Sequence, residues 1–193
     1  MKKIYKGQPG YTRSRKLKLG MASLTGFMIM AAIFIVGYAI YQTPKNYLTI
    51  PAVIVVLPTA KVFVQYLMVS WKNSVEPSEY NALSKAVAPL PLYCELAITA
   101  SEKSYEILYL LIDREENIIA YTKKTDKVDT EKFEKGVTNF LNFYDYSAKV
   151  KLYTDYRQFE KKAGYFAARN SSITVEEKEH IQTVFEKLSI MSI

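Results

Sequence analysis

Hydrophobic and polar positions divide this chain into two regions. From Leu19 to Thr43 there is no acidic or basic residue, and 21–41 reads MASLTGFMIMAAIFIVGYAIY without a recurring polar stripe. Such a run at about 1.5 Å per residue spans about 31 Å, the thickness of a bilayer's hydrocarbon core. It is longer than the apolar part of a cleavable leader, and no small-x-small cleavage site follows it. A second apolar stretch, 47–71, follows the short polar loop QTPKN. Pro58 and Lys61 interrupt it, and two forms satisfy the pattern. One is a single crossing kinked at Pro58 with the Lys61 ammonium reaching to the interface; the other is a crossing to Pro58 with 61–71 lying along the interface. Kinked crossing is the preferred form, because many Val, Ile and Leu residues offset the 2.5–3.5 kcal/mol, about, that a central Lys costs.

Beyond Trp71 the periodicity changes to that of a small folded domain, 77–193. Pro77-Ser78 opens a short helix over 79–87, stopped by Pro89 and Pro91. Leu92, Cys94, Leu96 and Ile98 alternate with polar positions, predicting a strand with one buried face. The run 106–113 is apolar on both faces, as in a central strand, and the turn 114–117 returns the chain into a third strand, 118–123. Phe133, Val137, Phe140, Leu141 and Tyr144 give an amphipathic helix over 129–144. A lysine-faced edge strand at 148–152 and helices at 156–168 and 175–189 complete the domain, with Thr174 and Glu177 spaced as a capping box. The expected fold is α+β. A two-helix transmembrane hairpin precedes an α-β-β-β-α-β-α-α domain whose helices pack on a mostly antiparallel sheet.

Charge sets the expected orientation. Residues 1–20 carry seven Lys/Arg and no acid, and the remaining chain is balanced at 19 of each sign. The net +7 therefore belongs to a basic arm, not to a nucleic-acid-binding face, and no nucleic acid is expected as partner. The positive-inside rule puts this arm, and after two crossings the C-terminal domain, in the cytoplasm of a multi-pass membrane protein. Arg13, Arg15, Lys16 and Lys18 are the arm's candidate contacts to anionic head groups. Lys61 is the intramembrane charge, and Trp71 an interfacial anchor; together these six are the membrane-anchoring residues. For the folded domain a protein partner or a second copy of the chain is the expected occupant.

Candidate chemistry is sparse. With one Cys and one His, neither a disulfide framework nor a Cys/His zinc site can be assembled, and no glycine-rich phosphate loop occurs. Cys94, unpaired, suits a reducing compartment, and His180 borders the apolar face of the last helix without a catalytic partner in the pattern. No metal or cofactor is assigned.

The order α-β-β-β-α-β over about 80 residues resembles the core of the PD-(D/E)xK nucleases. That resemblance implies an acid ending the second strand and an acid-x-Lys pair on the third, holding Mg²⁺. Asp113 matches the first position and Lys123 the lysine, but Tyr121 stands where the second acid belongs. Glu79 and Glu95 are the remaining carboxylates within geometric reach. A single matched carboxylate is too little to fix a hard cation. The reading is therefore a non-catalytic binding or assembly module, with an enzyme built on a variant or degenerate nuclease-like domain as the alternative. The arm KKIYKGQPGY, the basic stretch after it, the two close apolar segments and the small α+β tail also resemble an uncharacterised family of small bacterial two-span membrane proteins. Some of its members carry a glycosyltransferase-like name. That resemblance supports the topology and supplies no mechanism.

Overall fold

A computed structural model describes residues 5–43, 47–123 and 128–192 of the chain. Lys2, Lys3, Lys45 and the tip of the expected loop at 44–46 lie outside them. Two compact units form: Thr12–Lys72, and a second built from Met1–Tyr11 together with Asn73–Ile193.

The first unit is a helical hairpin of α1 (Tyr11–Tyr41) and α2 (Thr49–Ser70). Both helices are long and apolar enough to cross a membrane, and most of each apolar window is exposed, unlike the core helix of a soluble protein. Helix α2 runs uninterrupted through Pro58, so 61–70 continues the helix instead of forming a separate interfacial segment. The buried and half-buried positions run through Ser23, Gly26, Met30, Ile33 and Gly37 of α1, at alternating steps of three and four. Ala52, Val55, Thr59, Val62, Tyr66 and Val69 of α2 repeat the same steps. These positions form the seam between the two helices, where Gly20 and Gly26 of α1 face Tyr66 and Thr59 of α2. At Gly26 the approach is tight: a Cβ there would sit 2.4 Å from Thr59 Oγ1. Thr59 itself donates its hydroxyl to the Val55 carbonyl at 2.7 Å, which leaves no polar group of that side chain facing lipid.

The second unit follows the expected element order: α3 (Pro77–Ala86), β1 (Leu92–Ala100), β2 (Lys103–Ile112), β3 (Ile118–Tyr121), α4 (Thr130–Asn142), β4 (Val150–Tyr153), α5 (Tyr156–Arg169) and α6 (Val175–Ile190). The sheet order is β1-β2-β3-β4, antiparallel except for the parallel β3–β4 pair. Parallel neighbours cannot be joined by a tight turn, and α4 supplies the crossover between them. Phe159 of α5 lies against Tyr109, Tyr121 and Tyr153. Phe185 of α6 stacks on Tyr93, whose register partner is Leu110. Tyr109 and Leu110 are successive residues of β2 and point to opposite faces, so α5 and α6 cover opposite faces of the sheet. The capping box of α6 is formed in both directions by Thr174 and Glu177.

β1 departs from the expected pattern of one buried face: eight of its nine residues are buried. The reason is tertiary. Its outer edge, which would otherwise present open backbone groups, is covered by the N-terminal residues 5–11 and by the end of α6. Cys94 N donates to the Gly7 carbonyl at 3.0 Å, and Thr99 N to the Met191 carbonyl at 2.8 Å. Gly7, at φ +86°, sits where a Cβ would be 2.7 Å from the Phe185 ring, so this crossing requires glycine. The opposite sheet edge is also closed: Glu134 of α4 accepts the Leu152 backbone N–H at 3.0 Å. The segment expected as one basic arm, 1–20, is thus divided at Tyr11 between a strap on the α+β unit and the first turns of α1.

Candidate functional site

Glu79 and Lys123, two residues singled out by the nuclease-like pattern, line one cavity of about 340 Å³ in the α+β unit. Pro77 at the first position of α3 sets the helix start, and Glu79 falls in its first turn, where the helix dipole favours a carboxylate. Tyr109 of β2 and Tyr121 of β3 are register partners, with rings stacked at 6.3 Å. Tyr156, the first residue of α5, meets Tyr121 edge-on at 5.4 Å. These three rings make the cavity wall, and Asn73 and Lys123 lie at its rim.

Tyr109 is the unusual member. It is 2% exposed, and its hydroxyl makes no hydrogen bond of ordinary geometry among the described residues. A buried hydroxyl without a partner costs about 1–3 kcal/mol. Glu79 reaches toward it without completing such a bond. Burial first, and the negative charge of Glu79 second, hold the phenol well above its ordinary range. Tyr121 is raised by burial and by Asp155, and Tyr156 by burial and by Glu160, with Glu79 acting on both. The phenols therefore stay protonated, and the cavity offers an aromatic wall, a buried hydroxyl and exposed groups of both signs.

The other sequence candidates go elsewhere. Asp113 is 1% exposed, and its carboxylate is engaged by its own turn. Oδ1 accepts from the Glu115 and Asn117 backbone N–H groups, and Oδ2 from the Asn117 side chain, each at 2.9 Å. With Ile112 opposite Ile118 and Tyr109 opposite Tyr121, Asp113 and Lys123 stand at opposite ends of the β2–β3 ladder, about 20 Å apart at 3.3 Å per residue. Among the described residues no three His, Cys, Asp or Glu side chains form a metal-binding group. His180 pairs with Glu116 at 3.0 Å on the surface. Cys94 is buried, and burial, with the Glu95 charge, pushes its thiol far up.

Glu95 has a role that alternation alone does not reveal. It is buried within β1 at φ +55°, and its Oε1 accepts the Val75 N–H at 2.9 Å and the Gly10 N–H at 3.2 Å. One carboxylate thus ties the strap that precedes α1 to the segment that follows α2. The signal in the sequence was a charge inside an otherwise apolar strand, LYCELAITA. The tyrosine wall had a weaker signal: polar-tipped rings at positions that read as core.

The anchoring candidates divide between the two ends of the hairpin helices. Arg13, Arg15, Lys16 and Lys18 occupy the first two turns of α1. Lys16 Nζ donates to the Lys72 carbonyl at 2.8 Å, joining the start of α1 to the end of α2. Lys61 projects from the exposed side of α2, away from the seam, and Trp71, 81% exposed, follows the last turn. Comparison with protein-family models, curated proteins and solved structures gives no match for this chain.

Proposed function

We propose that this chain is a membrane-anchored binding or assembly module, with the hairpin crossing the bilayer twice and the α+β unit and both termini in the cytoplasm. The carrying observation is the strap. Residues 5–11 fold with 73–192, so the segments entering and leaving the hairpin belong to one unit, which supports their emerging on one side of the bilayer. Charge selects that side. Four basic side chains at the start of α1 oppose the helix dipole, so helix stability does not account for them. Anionic head groups and the positive-inside rule do. Lys61 lies about 13 Å along the axis from the last residue of α2, and extension of its ammonium toward that interface would relieve the cost of its charge. The resemblance of the N-terminal third to a two-span membrane family motivates the same reading.

A binding role fits the tyrosine-walled cavity: among the described residues its buried Tyr109 hydroxyl has no hydrogen-bond partner, and Glu79 is the one carboxylate lining it with Lys123. Two measurements test the proposal. Because Cys94 is buried, single cysteines can be introduced without replacing it. N46C should react with a membrane-impermeant maleimide in intact cells, and S78C only after permeabilisation. Labelling of S78C in intact cells would overturn the orientation. Incubation of the purified chain with DNA and RNA in Mg²⁺ or Mn²⁺ should yield no cleavage; metal-dependent cleavage lost in Asp113→Asn would establish the enzymatic alternative.

A further inference from the structure

A second cavity, of about 390 Å³, lies between β4 and α5, away from Glu79 and Tyr109. Lys151 of β4 and Lys149, the residue just before that strand, line it from one side. Lys162 and Arg169 line it from α5, seven residues apart and again on one face. Among the described residues no carboxylate lines it. The remainder of the chain beyond the basic arm carries equal numbers of both signs, so four cations lining one cavity are a local concentration of positive charge, offset in part by acids just outside the lining.

Two of these cations are already held. Glu134 pairs with Lys151 at 3.2 Å, and Glu115 pairs with Arg169. Lys149 and Lys162 have no carboxylate within ion-pair distance among the described residues. The Lys162 ammonium instead lies 4.7 Å from the centre of the Tyr165 ring. Tyr165 is 57% exposed, a large aromatic surface left open at the rim of a cationic cavity.

We propose that this cavity binds a small phosphorylated ligand carrying an aromatic ring, of nucleotide size. The two unneutralised ammonium groups match the charge of about −2 on a terminal phosphate. Lys151 and Arg169, fixed by their acidic neighbours, add directed donors, and Arg suits phosphate oxygens in a bidentate arrangement. Tyr165 supplies the face on which a base stacks. The volume lies in the range of small-ligand sites and is too small for a protein segment of any length.

Calorimetric titration of the full chain in neutral detergent micelles, at low salt, tests this with three probes: ADP, inorganic pyrophosphate and adenosine. ADP should bind saturably and at least tenfold more tightly than either partial probe. The double variant Lys149→Gln/Lys162→Gln should weaken ADP at least tenfold. Tyr165→Leu should bring ADP to the level of pyrophosphate, while Lys123→Gln, in the other cavity, should leave it unchanged. Lys149 is exposed and Lys162 half-buried, and near-UV circular dichroism checks that the fold of the double variant is retained. The proposal is overturned if ADP does not saturate at millimolar concentration, if pyrophosphate binds as tightly as ADP, or if Lys123→Gln abolishes binding while the double variant does not.

Discussion

Replacing Glu95 tests whether a single carboxylate joins the strap to the start of the α+β unit. Its Oε1 accepts two backbone N–H groups, from Val75 at 2.9 Å and from Gly10 at 3.2 Å. Hydrogen bonds to a charged group contribute about 1.5–3 kcal/mol each. Val75 is buried, so its N–H loses its partner when the carboxylate is removed, whereas Gly10 is half-buried and water replaces part of the loss. Glu95→Ala should therefore destabilise the unit by about 3–5 kcal/mol. At 2–8 °C per kcal/mol, roughly, its midpoint should fall by about 6 °C or more. Backbone conformation provides the discriminating control. At φ +55° a non-glycine residue carries a strain of about 1 kcal/mol. Glu95→Gly should then be less destabilised than Glu95→Ala by about 1 kcal/mol, the reverse of the usual order in a strand, where Gly is worse by about 0.5–1 kcal/mol. Thermal unfolding of the full chain in micelles, followed by near-UV circular dichroism, gives the stabilities. Amide exchange at Gly10 and Val75 reports the strap itself, and should accelerate at least tenfold in both variants. An alanine variant within 1 kcal/mol of the parent, or a glycine variant less stable than alanine, would refute the reasoning.

Three further outcomes are expected. Gly26→Ala, whose new methyl meets the stiff Thr59 side chain, should cost the hairpin about 1–3 kcal/mol in micelle unfolding. The double variant with Thr59→Ala should recover it, and a Gly26→Ala hairpin as stable as the parent would remove the seam. The buried phenols of Tyr93 and Tyr109 are raised by burial, so the folded state keeps them protonated while the unfolded chain ionises near the ordinary value of about 10. Their contribution is complete below pH 10, roughly, and is lost as pH rises beyond it, so Tyr109→Phe should move the alkaline unfolding midpoint upward in a 295 nm titration. An unchanged midpoint would contradict this. Leu110→Asp buries a charge, fully enclosed, between Tyr93 and Ala120 of the neighbouring strands, and should abolish the cooperative transition of the α+β unit. A melt like the parent's would show that β2 is not the centre of the sheet.

Local pattern by itself determined much of this protein. An uninterrupted apolar run, a period of 3.6 or 2 and a Thr-x-x-Glu start are written in consecutive residues. Both hairpin helices, all four strands and the α6 cap could therefore be read from the chain. What only the tertiary structure decided depends on residues far apart. Parallel pairing of β3 with β4 follows from how α4 crosses the sheet, not from any feature of 150–153. Alternation in β1 predicted one buried face, but a strap 85 residues earlier and the end of α6 close its edge, turning Glu95 from an outward charge into a buried tie. Asp113, a match to a catalytic pattern, is consumed by its own turn, while three tyrosines that read as core assemble a cavity wall from two strands and a helix. Gly26 and Thr59 meet across the seam although nothing in either helix alone names the other. Periodicity reports which side of an element is buried; it carries no information about what buries it, because that contact forms between segments whose separation in sequence leaves no local trace.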